Sequence, residues 1–172
     1  MRYNKLKMEG GDWMFNIFNK KEEYILSPFA GEVIELQQVP DEAFAQKMLG
    51  DGFAITPEEN VIKSPCAGEV VQIFSTGHAV GIQTEKGLEI LVHIGIDTVK
   101  LDGEGFEKLI KNGDKVDVGT PLVEIDLDFI KENAPSIATP VIITNMEKVK
   151  DIEVLKKGQV KAGTKILKVT LA

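Results

Sequence analysis

Ser27-Pro28-Phe29-Ala30-Gly31-Glu32-Val33 returns thirty-seven residues later as Ser64-Pro65-Cys66-Ala67-Gly68-Glu69-Val70, identical at six of seven positions. Each copy runs on into alternating apolar residues, Ile34 and Leu36 in the first, Val71 and Ile73 in the second. Identity at that density marks an internal duplication. The local chemistry reads the same way twice. Proline fixes a turn, glycine permits a left-handed or bulged backbone, and the period-two run that follows is a half-buried strand.

A second echo lies downstream. Val116-Asp117-Val118-Gly119-Thr120-Pro121-Leu122 and Val160-Lys161-Ala162-Gly163-Thr164-Lys165-Ile166 share the form Val-x-x-Gly-Thr-x-Leu/Ile. Both lead into alternating strands, carried by Val123 and Ile125 and by Leu167 and Val169. Short strands with glycine turns predict an all-β, antiparallel sandwich or barrel-like fold, to which 16 glycines are suited. Helices are few. Asp41–Leu49 predicts one, capped by Asp41, stopped by Gly50, with Phe44, Met48 and Leu49 on one face. Asp126–Ala134 and Phe106–Lys111 are candidates for little more than a turn each.

The 172 residues suit one domain. At 43% hydrophobic the chain can build a core, and its mean hydropathy of −0.03 is too low for a membrane protein. Twenty Lys and Arg against 27 Asp and Glu leave a charge of −7, which argues against nucleic acid as a partner. The single cysteine excludes an intrachain disulfide and fits a reducing, cytoplasmic setting. Residues 1–11 lack the apolar core of a signal peptide. Met14 is an alternative start to Met1. Residues 13–21 include an apolar run before a basic pair, able to make weak contact with an anionic membrane surface. The plainer reading is preferred, a mobile tail over residues 1–22 followed by one domain over 23–172, a monomer.

Only two histidines exist, so any histidine chemistry uses His78 or His93. Thr76–Thr84 and Leu88–Gly95 read as two strands of a hairpin. A two-residue loop at Glu85-Lys86 would set His78 opposite His93, whereas a three-residue loop ending in a bulge at Gly87 shifts the pairing by one residue. Thr76 can orient His78, and His93 is followed by Gly95, Asp97 and Thr98. Two buried histidines can also simply satisfy one another. Zinc hydrolysis needs three protein ligands, and Asp97 would have to be the third. No serine stands in a Gly-x-Ser-x-Gly elbow, and no phosphate-binding glycine loop is present. A phosphohistidine carrier needs one neutral imidazole, a hydrogen-bonding neighbour and a docking surface, the least demanding fit.

Leu91-Val92-His93-Ile94-Gly95-Ile96-Asp97-Thr98-Val99 through Gly103-Glu104-Gly105-Phe106 resembles the active-site signature of the glucose-type enzyme IIA family of the bacterial phosphoenolpyruvate:sugar phosphotransferase system. Thr76-x-His78-Ala79, the two Ser-Pro-x-Ala-Gly-Glu-Val repeats, Gly50–Ile55 and Thr139–Asn145 match as well, over about residues 24–171. The resemblance implies an antiparallel β-sandwich of the duplicated-hybrid, barrel-sandwich type. It implies that His93 accepts a phosphoryl group from HPr through Nε2 and passes it to the cysteine of a sugar-specific IIB domain. His78 would bind the phosphoryl oxygens, Thr76 would orient His78, and Asp97 would meet an arginine of HPr. Candidates for the docking face are Phe44, Met48, Leu49, Phe74, Leu91 and Val99, with core packing as the alternative for each. No cofactor is required, although the two histidines of family members can bind zinc when a partner adds a carboxylate. Leu91 and Ile94 replace aromatic residues common in enterobacterial members, so regulatory partners do not carry over. Cys66 reads as a core residue. The competing readings are a zinc-dependent peptidase of the related duplicated-hybrid fold and a biotinyl- or lipoyl-like carrier, which lacks the Met-Lys-Met tip.

Overall fold

Fourteen strands, all paired antiparallel, follow one another in residues 21–172, the part of the chain that the computed structural model describes. They are β1 (Glu22–Leu26), β2 (Gly31–Ile34), β3 (Asp51–Pro57), β4 (Val61–Lys63), β5 (Gly68–Ile73), β6 (Ala79–Gln83), β7 (Glu89–His93), β8 (Phe106–Lys108), β9 (Lys115–Val116), β10 (Pro121–Ile125), β11 (Thr139–Ile143), β12 (Val149–Val154), β13 (Gly158–Val160) and β14 (Lys165–Leu171). Two short helices, α1 (Glu42–Ala45) and α2 (Leu127–Asn133), lie in connectors. Residues 1–20, and with them most of the segment read as a tail and membrane contact, lie outside the described residues. Glu22 already pairs with Thr170 at the start of β1.

The duplication is visible in the strand order. One sheet runs β13-β2-β3-β11-β7-β6-β5-β9, and two three-stranded sheets run β1-β14-β12 and β4-β10-β8. The large sheet reads as a palindrome about the β11–β7 pair, where Val141 faces Val92. One half of the molecule is β1–β3 with β11–β14, and β4–β10 form the other. Reciprocal hydrogen bonds tie them: Leu26 N–H to the Pro65 carbonyl and Lys63 N–H to the Pro28 carbonyl, both 2.9 Å. Within each repeat the serine folds its hydroxyl back on the carbonyl two residues on, Ser27 on Phe29 at 2.5 Å and Ser64 on Cys66 at 2.6 Å.

The repeat glycines do a different job from the one read in the sequence. Neither Gly31 nor Gly68 has a positive φ. Each lies against the neighbouring strand, where a Cβ would stand 2.0 Å from the Thr56 carbonyl oxygen or 2.2 Å from that of Gln83. Only a residue without a side chain allows that approach. Phe29 and Cys66, the one unlike pair in the repeat, both enter the core at 0% and 2% exposure. Burial pushes the Cys66 thiol up to about 12, which leaves it a protonated core residue.

Three local expectations differ from the structure. The predicted Asp41–Leu49 helix is only the single turn α1, ending where Lys47 adopts a φ of 58°. Beyond it Met48 is 70% exposed and Leu49 46%, so the three apolar residues do not share a buried face. Phe106–Lys108 is strand β8, paired with β10, rather than a helical turn. Gly103 and Gly105, both at a φ of 90°, bring it into that ladder. The β6–β7 hairpin closes with Gly87 at a φ of 96°, and Gln83 faces Glu89. The bulged register is therefore the one adopted, and His93 faces Ala79.

The outer face of the large sheet carries a second apolar cluster. Leu36, Val39 and Phe44 from the β2–β3 connector cover Ala54 and Ile142 there, joined by Ile96 and Ala138. That cover stops at the end of β7.

Candidate functional site

His93 is the last residue of β7, and His78 lies just before β6, one rung beyond the ladder. The His78 carbonyl accepts the Ile94 N–H at 2.7 Å, which locks the two strand ends together. The imidazoles meet edge to face, with centroids 5.1 Å apart and planes at 81°. The bulged register thus brings the rings together without setting the residues directly opposite.

The protonation of His93 follows from its backbone neighbour. Its Nδ1 lies 2.8 Å from the Gly95 carbonyl oxygen, which can only accept, so Nδ1 carries the proton. Nε2 is left with its lone pair. Burial holds the His93 pKa below the ordinary imidazole value. The Gly95 carbonyl and then the carboxylates of Asp41 and Asp97 oppose that shift without cancelling it. At pH 7 the ring is neutral and nucleophilic at Nε2.

His78 is 4% exposed. Burial lowers its pKa to about 4, with His93 a second cause, so it too is neutral. Its Nδ1 is hydrogen-bonded to the Thr76 hydroxyl. Thr76 lies in the turn before β6 rather than on the strand, and Gly77 allows that turn with a φ of 77°. Two phenyl rings flank the pair. Phe44 lies 5.1 Å from the His93 ring and Phe74 5.2 Å from that of His78.

Asp97 follows at the rim with a φ of 57° and pairs at 3.8 Å with Lys100, which is itself exposed. Of the residues read as a docking face, Met48, Leu49, Phe74 and Val99 are exposed, and Phe74 packs on the His78 ring. Phe44 is not on that surface. It is 4% exposed, because α1 turns its ring inward onto His93, and it forms a wall of the site. Leu91 is half-buried beside the outer cluster. Val71, which the sequence marks only as a strand residue, is 47% exposed and extends the apolar row through Gly81 to Leu91 across β5, β6 and β7.

Two site features were read only in part. Asp41 is an N-cap, its carboxylate accepting from Ala43 N–H at 2.9 Å and Phe44 N–H at 3.4 Å, and it also acts electrostatically on His93. In the sequence Gly95 is only a neighbour of His93, whereas in the structure its carbonyl sets the tautomer. Among the described residues no group of three or more His, Cys, Asp or Glu is arranged to hold a metal ion. No helix among them is long and apolar enough to cross a membrane.

Residues 23–149 match the family described as phosphoenolpyruvate-dependent sugar phosphotransferase system, EIIA 1. The chain is 48% identical over 153 residues to the PTS system glucose-specific EIIA component of Staphylococcus aureus, covering 88% of this chain and 92% of that one. The protein of the same name from Halalkalibacterium halodurans is 49% identical over 143 residues, 83% of each chain. Among solved structures, the glucose permease IIA from Mycoplasma capricolum superposes with a TM-score of 0.82 at 45% identity, over 86% of this chain and 96% of that one.

Proposed function

The chain belongs to the EIIA 1 family of the phosphoenolpyruvate-dependent sugar phosphotransferase system, and we propose that His93 is the residue on which it carries the phosphoryl group. The protein is a phosphotransferase component, a phosphocarrier in sugar uptake. One observation supports His93 above any other residue. It is a neutral imidazole whose Nδ1–H is committed to the Gly95 carbonyl, so that Nε2 alone is free to attack.

The donor is the phosphohistidine of HPr. As Nε2 of His93 forms its bond to phosphorus, the phosphorus–nitrogen bond to the donor imidazole breaks, and that nitrogen regains its lone pair. In the second transfer the thiolate of the IIB cysteine attacks phosphorus and Nε2 leaves. The two phosphoramidates are close in energy, so positioning and charge placement matter more than driving force. His78 supplies that placement. We assign the Thr76 hydroxyl as donor to its Nδ1, so that the proton stands on Nε2, where it donates to a phosphoryl oxygen. Phe44 and Phe74 keep water from the intermediate. Asp97 at the rim and the acidic balance of the chain suit basic groups on HPr.

Zinc fits only in part. Two imidazoles supply half of a tetrahedral set, and the remaining donors, a carboxylate among them, would come from a partner. No step of the transfer needs it. The relatives are phosphocarriers, which leaves the peptidase and the biotinyl or lipoyl readings without support.

The test is phosphoryl transfer from phosphoenolpyruvate through enzyme I and HPr. The wild-type chain takes up one acid-labile phosphoryl group, and His93→Ala takes up none. Full labelling of His93→Ala overturns the assignment.

A further inference from the structure

The peptide joining Ile94 to Gly95 is held on both sides by threonine hydroxyls. Thr98 Oγ1 donates to the Ile94 carbonyl at 2.6 Å, and the Gly95 N–H points to Thr139 Oγ1 at 3.4 Å. Thr139 spends its own proton on the Ile137 carbonyl at 3.1 Å, so toward Gly95 its oxygen is an acceptor. Both threonines have 0% exposure. A valine would fill the same space without the cost of burying a hydroxyl, so the oxygens need a reason. We propose that Thr98 and Thr139 are positioning residues for His93, clamping the Ile94–Gly95 peptide so that the Gly95 carbonyl holds the proton on Nδ1 and Nε2 stays open for the phosphoryl group.

The need for a clamp comes from Gly95 itself. Its φ is 74°, and a Cβ there would lie 2.7 Å from Thr98 Cγ2 and 3.2 Å from the Ser136 carbonyl oxygen, so glycine is required. Glycine, however, has access to either sign of φ. Any rotation about its N–Cα bond swings the carbonyl that lies one bond further on. The flanking residues are tied, Ile94 N–H to the His78 carbonyl and Ile96 N–H to the Ser136 carbonyl at 2.9 Å. The Ile96 bond anchors the far side of the peptide that carries the Gly95 carbonyl, and among the described residues the two hydroxyls are the side-chain partners of the Ile94–Gly95 plane on its near side, from which the glycine's φ turns. Without its carbonyl partner a neutral imidazole carries its proton on either nitrogen, and the fraction protonated on Nε2 cannot attack phosphorus. Thr98 comes from the loop after β7 and Thr139 from the first residue of β11, so the clamp also ties the loop to the adjacent strand.

The inference rests on His93 Nε2 as acceptor, but its first readout does not. Ring-nitrogen spectra of His93 in the ¹⁵N-labelled, unphosphorylated full chain report the tautomer directly. Wild type and Thr98→Ser show one form, protonated on Nδ1. Thr98→Val, which keeps the shape and removes the donor, shows both forms. Its kcat for accepting phosphoryl groups falls about tenfold, the size expected when one buried hydrogen bond is lost, while KM for phospho-HPr is unchanged. A folded Thr98→Val chain that remains wholly protonated on Nδ1 overturns the clamp. Should Thr98→Val fail to fold, Thr139→Val is judged by the same spectrum, and an unshifted tautomer there overturns it. A shifted tautomer in a chain whose wild type takes up no phosphoryl group supports the clamp and overturns the acceptor assignment instead.

Discussion

The two halves of the molecule are built alike, and the difference between them locates the site. Val33 faces Ile55, which faces Thr139. Thirty-seven residues on from Val33, Val70 faces Ile82, which faces Ile90. Carried along the strands, that correspondence puts His93 in the place of Ile142 and His78 in the place of Asp51. In the first half the β2–β3 connector spans residues 35–50 and folds over the sheet, leaving Ile142 1% exposed. Its counterpart between β5 and β6 spans only residues 74–78, so the same face of the second half stays open. The histidines lie where the cover ends, and Phe44, at its edge, reaches across onto His93. A symmetric scaffold becomes a site where one long connector breaks the symmetry, with a desolvated wall on one side and access for a partner on the other.

The sharpest way to break this contrast is to make the second half copy the first. His93→Ile, the residue its counterpart carries, removes the nucleophile and is expected to abolish labelling by phospho-HPr while the fold persists, as a cooperative thermal transition will show. Next comes His78→Gln. It leaves Nε2 of His93 in place but removes the imidazole that meets the phosphoryl oxygens. Acceptance is expected to survive and onward transfer to IIB to fall about a hundredfold, the lower end for a positioned proton donor. Normal sugar uptake by that variant would count against the role.

On the covered side, Ile142→Ala is expected to cost about 2–5 kcal/mol of stability, as for other buried large-to-small changes, with labelling intact below its melting temperature. Denaturant titration measures the first and the transfer assay the second. Loss of labelling in the folded variant would mean that the covered half takes part in the chemistry. The smallest effect is on pH dependence. The His78 pKa is about 4 in the folded chain and near 6.5 when unfolded. The unfolded state therefore binds more protons between those values, and the stabilising contribution, complete above pH 6.5, drains away as pH falls toward 4. His93, also lowered, adds in the same direction. His78→Gln should flatten part of that slope in unfolding curves taken from pH 7 to 4.

Much of the fold is legible in the residues because it rests on local rules. The Ser-Pro-x-Ala-Gly-Glu-Val repeat predicts the duplication and alternation predicts the strands, while Asp126–Ala134, read as little more than a turn, is the seven-residue helix α2, capped by Asp126, whose carboxylate accepts the Phe129 N–H at 3.0 Å. What went unread depends on partners distant in sequence. Phe106–Lys108 looks helical until β10 offers it a ladder. Gly31 and Gly68 are explained only by the carbonyls of Thr56 and Gln83 across the sheet. Asp41–Leu49 carries a helix signal, but the chain turns out after α1 to reach β3 through Gly50, where a Cβ would stand 2.0 Å from the Ile143 carbonyl oxygen.

The site divides along the same line. That His78 and His93 belong to one hairpin, with Thr76 and Gly95 beside them, is determined by sequence, since hairpin strands meet through a turn of few residues. The sequence allows two loop lengths and so two registers, and the left-handed Gly87 decides between them. Which nitrogen of His93 is free, and that both rings are neutral, only the tertiary structure decides. Tautomer and pKa depend on where a carbonyl points and on how much water is excluded, and those are set by Thr98, Thr139, Phe44 and the long connector, brought together from opposite halves of the duplication.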